Sequence, residues 1–98
     1  MAYKLIISER AEKNLDQIVN YLDKEWSVQV RQRFLIILKK KTKQISERPL
    51  MFQSSIKKKS IRRCVITKQI ILYYKFRSQE VEIITIQDSR RDPKKLKF

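Results

Sequence analysis

Apolar positions recur along this chain with two periods, that of strands and that of helices, and each run marks an element. Tyr3 to Ile7 alternates briefly into an apolar run and predicts a short strand. Ser8 then offers a hydroxyl to cap a helix starting at Glu9. Ala11, Leu15, Ile18, Val19 and Leu22 form one stripe at helical spacing, and Glu9 and Glu12 suit the positive N-terminal end. This helix is expected to end near Lys24 or Glu25. Ser27 caps a second helix with the stripe Val30, Phe34, Ile37, Leu38 and Ile45, and with Arg31, Arg33, Lys39, Lys40 and Lys43 distributed around it. It should stop before Arg48, because Pro49 disfavours the α conformation in the residue before it. So short a link folds the two helices back on each other as an antiparallel hairpin, pinned by Trp26.

Leu50 to Ser60 has no clean period and reads as a loop. Beyond it the period changes to that of strands, in three runs rich in Ile, Val, Tyr, Phe and Thr: Ile61 to Thr67, Ile70 to Arg77 and Val81 to Asp88. Connections of two or three residues make them consecutive antiparallel neighbours. With Lys68 and Gln69 as a two-residue turn, Thr67 faces Ile70, and the pairs Ile66/Ile71, Cys64/Tyr73 and Arg62/Lys75 share one face. The other face, with Ile61, Arg63, Val65, Ile70, Leu72, Tyr74 and Phe76, is the more apolar and is expected to pack on the hairpin, leaving Arg62, Tyr73 and Lys75 exposed. The chain contains no glycine, although tight hairpins favour it where φ is positive.

These elements make residues 1–98 one small α+β domain: an N-terminal strand, then an antiparallel helical hairpin packed on a three-stranded antiparallel meander. At 98 residues and 42% hydrophobic the chain has material for a single modest core. The apolar run Leu5 to Ile7 is too short for a signal peptide or a membrane span, so a cytoplasmic protein with no membrane association is expected. Cys64 is the only cysteine and histidine is absent, which excludes an internal disulfide and the usual zinc sites. No metal and no cofactor is expected, and Cys64 reads as a packing residue.

Charge then points to a partner. The formal net charge is +14, divided as +5 over residues 1–56 and +9 over residues 57–98. Lys57, Lys58, Lys59, Arg62, Arg63, Lys75, Arg77, Arg90, Arg91, Lys94, Lys95 and Lys97 all fall on or near the predicted strands, so a polyanion or an acidic protein is the expected partner.

The order of elements, with "ERAEKNLDQIVNYL" and "EWS" in the first helix and its end, Pro49 after the second, the strands "IRRCVI" and "IILYYKF", and the ending "VEIITIQDSRRDPKKL" with Asp88, Arg90 and Pro93, resembles the RelE/ParE superfamily of bacterial toxins, in its plasmid-stabilisation branch. The resemblance covers nearly the whole chain and implies a toxin of a type II toxin–antitoxin system. It also implies a cognate acidic antitoxin as partner.

Two activities occur on that scaffold. RelE-like members cleave mRNA on the ribosome without a metal, whereas ParE-like members poison DNA gyrase. The nuclease reading, taken first, makes Lys57, Lys59, Arg62 and Arg90 the catalytic set. Mutual repulsion lowers an ammonium pKa in the lysine cluster so that Lys57 or Lys59 serves as base, and Arg62 and Arg90 stabilise phosphate charge. Lys58, Arg63, Tyr73, Lys75 and Arg91 then contact nucleic acid, with Tyr73 stacking on a base. RNase-active relatives usually place a Tyr or His just after the last strand; here that stretch is Gln87, Asp88, Ser89, Arg90 and Arg91. The alternatives are the gyrase-directed toxin, which needs no hydrolytic site, and a basic nucleic-acid-binding relic.

Overall fold

The computed structural model describes residues 2–54 and 60–88. Its elements are β1 (Lys4–Ile7), α1 (Glu9–Glu25), α2 (Val28–Glu47), β2 (Arg62–Val65), β3 (Ile70–Arg77) and β4 (Glu80–Asp88). Both helices start where the caps predict: Ser8 Oγ accepts from Ala11 N at 3.0 Å, and Ser27 Oγ accepts from Val30 N at 3.1 Å.

The strands form one sheet in the order β1-β4-β3-β2, with β2, β3 and β4 an antiparallel meander and β1 parallel to β4. β1 pairs with β4 only as far as Ile83. From there α1 takes over the edge with side chains. Ser8 Oγ donates to Ile84 O at 2.7 Å, and Asn14 Oδ1 accepts from Ile86 N at 3.1 Å and from Thr85 Oγ1 at 2.7 Å. Backbone groups that a longer β1 would have satisfied are therefore met by a helix. The core joins Ala11, Ile18 and Leu22 of α1 and Phe34, Leu38 and Ile45 of α2 to Cys64, Leu72, Tyr74, Val81, Ile83 and Ile86 of the sheet.

The β2–β3 register corrects the expected one by a single residue. Arg62 faces Tyr74, Arg63 faces Tyr73, Cys64 faces Leu72 and Val65 faces Ile71. The shift arises beside the turn, where Thr67 Oγ1 accepts from the N–H groups of Ile70 at 3.2 Å and Gln69 at 3.4 Å. Thr67 pairs with Ile70 as expected, exchanging backbone hydrogen bonds with it at 3.2 and 3.3 Å, but Ile66 N also donates to Ile70 O at 2.9 Å, so Ile66 and Thr67 together oppose Ile70 in a bulge that offsets the rest of β2 by one residue. β3 keeps its expected faces, but β2 is turned over. Cys64 is fully buried, Val65 is 49% exposed, and Arg62 lies on the helix side of the sheet. Tyr73, expected to be exposed, is 6% exposed.

The β3–β4 hairpin meets the lack of glycine differently. Ser78 and Gln79 take φ of 54° and 64°, the left-handed conformation that a two-residue turn of this hand demands. Each L-residue held there costs about 1–2 kcal/mol. Replacing the pair by Asn-Gly (Ser78→Asn with Gln79→Gly) is expected to raise stability by about 1–2 kcal/mol, read as a higher denaturant midpoint at unchanged m. An unchanged or lower midpoint would contradict a strained turn.

Candidate functional site

The face of the sheet turned away from the helices was the expected site, and its charges divide it in two. At the β3–β4 turn end, Lys75 Nζ lies 3.7 Å from a Glu82 carboxylate oxygen, Lys4 Nζ lies 3.8 Å from one of Glu80, and Arg77 stands opposite Glu80 in the register. Exposed pairs of this kind contribute little to stability, but they place acidic groups among the cations. Among the described residues this end is therefore mixed in charge instead of uniformly positive.

At the other end Arg63 stands on β2 beside the buried Tyr73, which faces Thr85. Gln87 Nε2 donates to Thr85 Oγ1 at 2.6 Å. Arg63 Nε is buried and has no hydrogen-bond partner among the described residues. A guanidinium N–H without an acceptor is a place where an anionic oxygen gains a strong, charge-assisted bond.

Arg62, grouped with the catalytic candidates, has a different set of neighbours. Its Nη1 donates to Phe52 O at 2.7 Å and reaches Leu50 O at 3.5 Å, fastening the loop that follows α2. Tyr74 holds the same loop from below, donating through its hydroxyl to Pro49 O at 2.6 Å. Burial pushes the Tyr74 phenol up to about 12, outweighing the nearby Arg62 charge. Burial likewise pushes the Cys64 thiol up to about 11 against the opposing charge of Lys41. A thiol so shielded is a packing group and a poor nucleophile. Lys57, Lys58, Lys59, Arg90 and Arg91 lie outside the described residues.

Both raised values carry a pH dependence. The neutral forms are favoured in the fold, so the stabilisation is complete below the ordinary thiol value of 9.0 and is lost as pH rises through about 11 for Cys64 and about 12 for Tyr74. Thermal midpoints are expected to fall steeply between these limits. Tyr74→Phe is expected to flatten the upper part of the fall, and a profile identical to that of the unaltered protein would contradict the assignment.

A surface that sequence reasoning passed over lies on α2. Arg33, Ile36, Lys40 and Lys43 recur at steps of three and four, forming one stripe opposite the buried Phe34, Leu38 and Ile45. All four are exposed, and Ile36 at 69% is the most exposed large apolar side chain among the described residues. The signal is present in the sequence as spacing, but Arg33, Lys40 and Lys43 read there only as cations distributed around the apolar stripe.

A second apolar surface borders β1. Leu5 and Ile7, each 41% exposed, join Leu35 and Leu38 of α2 along a groove of about 400 Å³ beside the free edge of the sheet. Among the described residues no group of three or more His, Cys, Asp or Glu side chains is placed to hold a metal ion, and no helix is long and apolar enough to cross a membrane.

Residues 5–93 match the family model described as the ParE toxin of the type II toxin–antitoxin system parDE. No curated protein matches the chain. Among solved structures it is similar to a chain of the chromosomal ParDE system from P. aeruginosa, at TM-score 0.72 and 12% identity, covering 89% of this chain and 96% of that one. A YoeB/ParE toxin from Agrobacterium tumefaciens matches at TM-score 0.64 and 11% identity, covering 87% and 96%. The RelBE2 toxin–antitoxin complex from Mycobacterium tuberculosis matches at TM-score 0.62 and 11% identity, covering 90% and 99%. At such identities these structures establish the shared fold alone.

Proposed function

Because the chain belongs to the ParE toxin family of type II toxin–antitoxin systems, we propose that it arrests growth by binding a protein target, DNA gyrase in the cytoplasm, and not by cutting RNA. The observation that carries this reading is the α2 stripe: an isoleucine 69% exposed, ringed by Arg33, Lys40 and Lys43. A large apolar side chain surrounded by cations is the composition of a contact surface that is steered by charge and anchored by burial. The geometry of Arg62 supports the same reading, since its guanidinium is engaged by the carbonyls of the 50–52 loop.

The proposed physiological partner is an acidic antitoxin with apolar anchors. The β1 edge and the Leu5/Ile7/Leu35/Leu38 groove suit an extended segment, whose backbone adds to the sheet while alternate side chains enter the groove. Lys39 on the groove wall and the chain's +14 charge favour an acidic sequence there.

Induced expression tests the target. Growth arrest with the DNA-damage response and trapped gyrase–DNA cleavage complexes is the expected result; arrest of translation with intact DNA would overturn it. The second reading, a ribosome-dependent mRNA endoribonuclease, is favoured by Arg63 Nε, which stands beside Tyr73 and has no hydrogen-bond partner among the described residues. It keeps Lys57, Lys59, Arg62 and Arg90 as the catalytic set, with Lys58, Arg63, Tyr73, Lys75 and Arg91 on the nucleic acid. Translating ribosomes incubated with purified protein would then show A-site cuts that Lys59→Ala removes.

A further inference from the structure

The exposed stripe of α2 does not stop at its own helix. Arg33, the first residue of the stripe, also lines a groove of about 230 Å³ at the tip of the helical hairpin, together with Leu22 and Trp26 of α1, Phe34 and Ile37 of α2, and Ile70 at the start of β3. One turn on from Arg33, Ile36 stands on the stripe and Ile37 in the groove, so a single guanidinium joins the two surfaces. Trp26 is 59% exposed and forms an open wall of the groove. A tryptophan left open beside aliphatic side chains marks a contact surface, and tryptophan and arginine are the residue types that most often anchor one.

Size and charge select the occupant. An apolar cavity of about 150 Å³ takes a benzene ring, so this groove has room for one large apolar side chain, aromatic or aliphatic. Arg33 is the one charged residue among the described lining residues, and it makes no ion pair among the described residues. The acidic groups of the hairpin tip are already answered. Asp23 is engaged by Arg31, whose Nε lies 3.5 Å from its Oδ1, and Lys24 offsets Glu25 in the same turn. The open charge at the groove is therefore positive, and it suits a carboxylate beside the apolar anchor. A second copy of the chain, itself at +14, would be repelled.

We infer that the hairpin-tip groove is the anchoring subsite of the target contact: one large apolar side chain of an acidic segment of the target enters beside Trp26, and a neighbouring carboxylate pairs with Arg33. The inference rests on the reading of α2 as the target surface, and the groove is separate from the β1 edge assigned to the antitoxin.

Binding of purified gyrase, with DNA present, to the immobilised full-length protein tests it through the association and dissociation rates. Trp26→Ala removes the open wall and is expected to speed dissociation by about tenfold or more. Arg33→Glu reverses the open charge and is expected to slow association by about tenfold at low salt and to weaken its salt dependence, whereas Arg33→Lys should keep both. Both side chains are exposed, so unfolding midpoints should stay close to that of the unaltered protein. Unchanged rates in Trp26→Ala and Arg33→Glu, with binding lost in Ile36→Glu, would overturn the subsite and leave the α2 reading standing. No binding by the unaltered protein would overturn both. Variants of Trp26 and Arg33 that arrest growth normally but escape the antitoxin would assign the groove to the antitoxin, and so would also overturn the proposal.

Discussion

A double charge insertion on α2, Ile36→Glu with Lys40→Glu, is expected to abolish growth arrest while leaving the fold intact. Ile36 is 69% exposed and Lys40 is exposed beside it, so neither contributes to the core. Glutamate is also a better helix former than isoleucine, and exposed substitutions of this kind change stability by about 0.5 kcal/mol or less. At an interface the arithmetic differs. Burying a carboxylate where an isoleucine was anchored, and reversing a steering cation, should cost about 2–4 kcal/mol, a loss of roughly 30-fold or more in affinity. The conservative pair Ile36→Leu and Lys40→Arg should retain toxicity. Growth curves after induction, set against unfolding midpoints of the purified variants, check the prediction. Full arrest by the double glutamate variant would remove α2 from the contact surface.

How much of this was readable beforehand follows from how local each determinant is. The helices were legible because both determinants are local: a serine cap whose hydroxyl finds an N–H three residues on, and an apolar stripe that meets its own turn. The strand order β2, β3, β4 was legible from short connections alone. The parallel pairing of β1 with β4 was not, because it joins residues more than seventy apart through nothing but geometry. Likewise Asn14 carried no sign that it would accept from Ile86 N across 72 positions.

The one-residue error at β2 had larger consequences than any of these. A single extra residue beside the turn, where Ile66 and Thr67 together oppose Ile70, turned the strand over, burying Cys64 and moving Arg62 to the helix side. Since side chains alternate, no intermediate outcome was available. The candidate site inherited that error. Its residues were chosen by charge and predicted face, while the exposed isoleucine on α2 was absorbed into a helix read as amphipathic.

Arg62 gives the sharpest contrast between the two readings, because a structural tie and a phosphate ligand fail differently. Arg62→Ala removes the donor to Phe52 O and leaves that carbonyl short of its partner, in a loop also held by the Tyr74 hydroxyl. The side chain is only partly buried, so the loss is expected at about 1–2 kcal/mol, below the full value for a charged hydrogen bond in the interior. For a domain of this size that lowers the thermal midpoint by about 4–16 °C. Tyr74→Phe should cost a similar amount, and the double variant should show a coupling of about 0.5 kcal/mol or more, because both side chains hold residues 49–52. Arg62→Lys keeps the charge but loses the planar fork, and should recover part of the stability. At a temperature where Arg62→Ala remains folded, a tie of this kind leaves toxicity within a few-fold of the unaltered protein. An Arg62→Ala variant with an unchanged midpoint and no toxicity would show instead that the guanidinium acts directly on the target, and would return it to the phosphate-binding role that its charge first suggested.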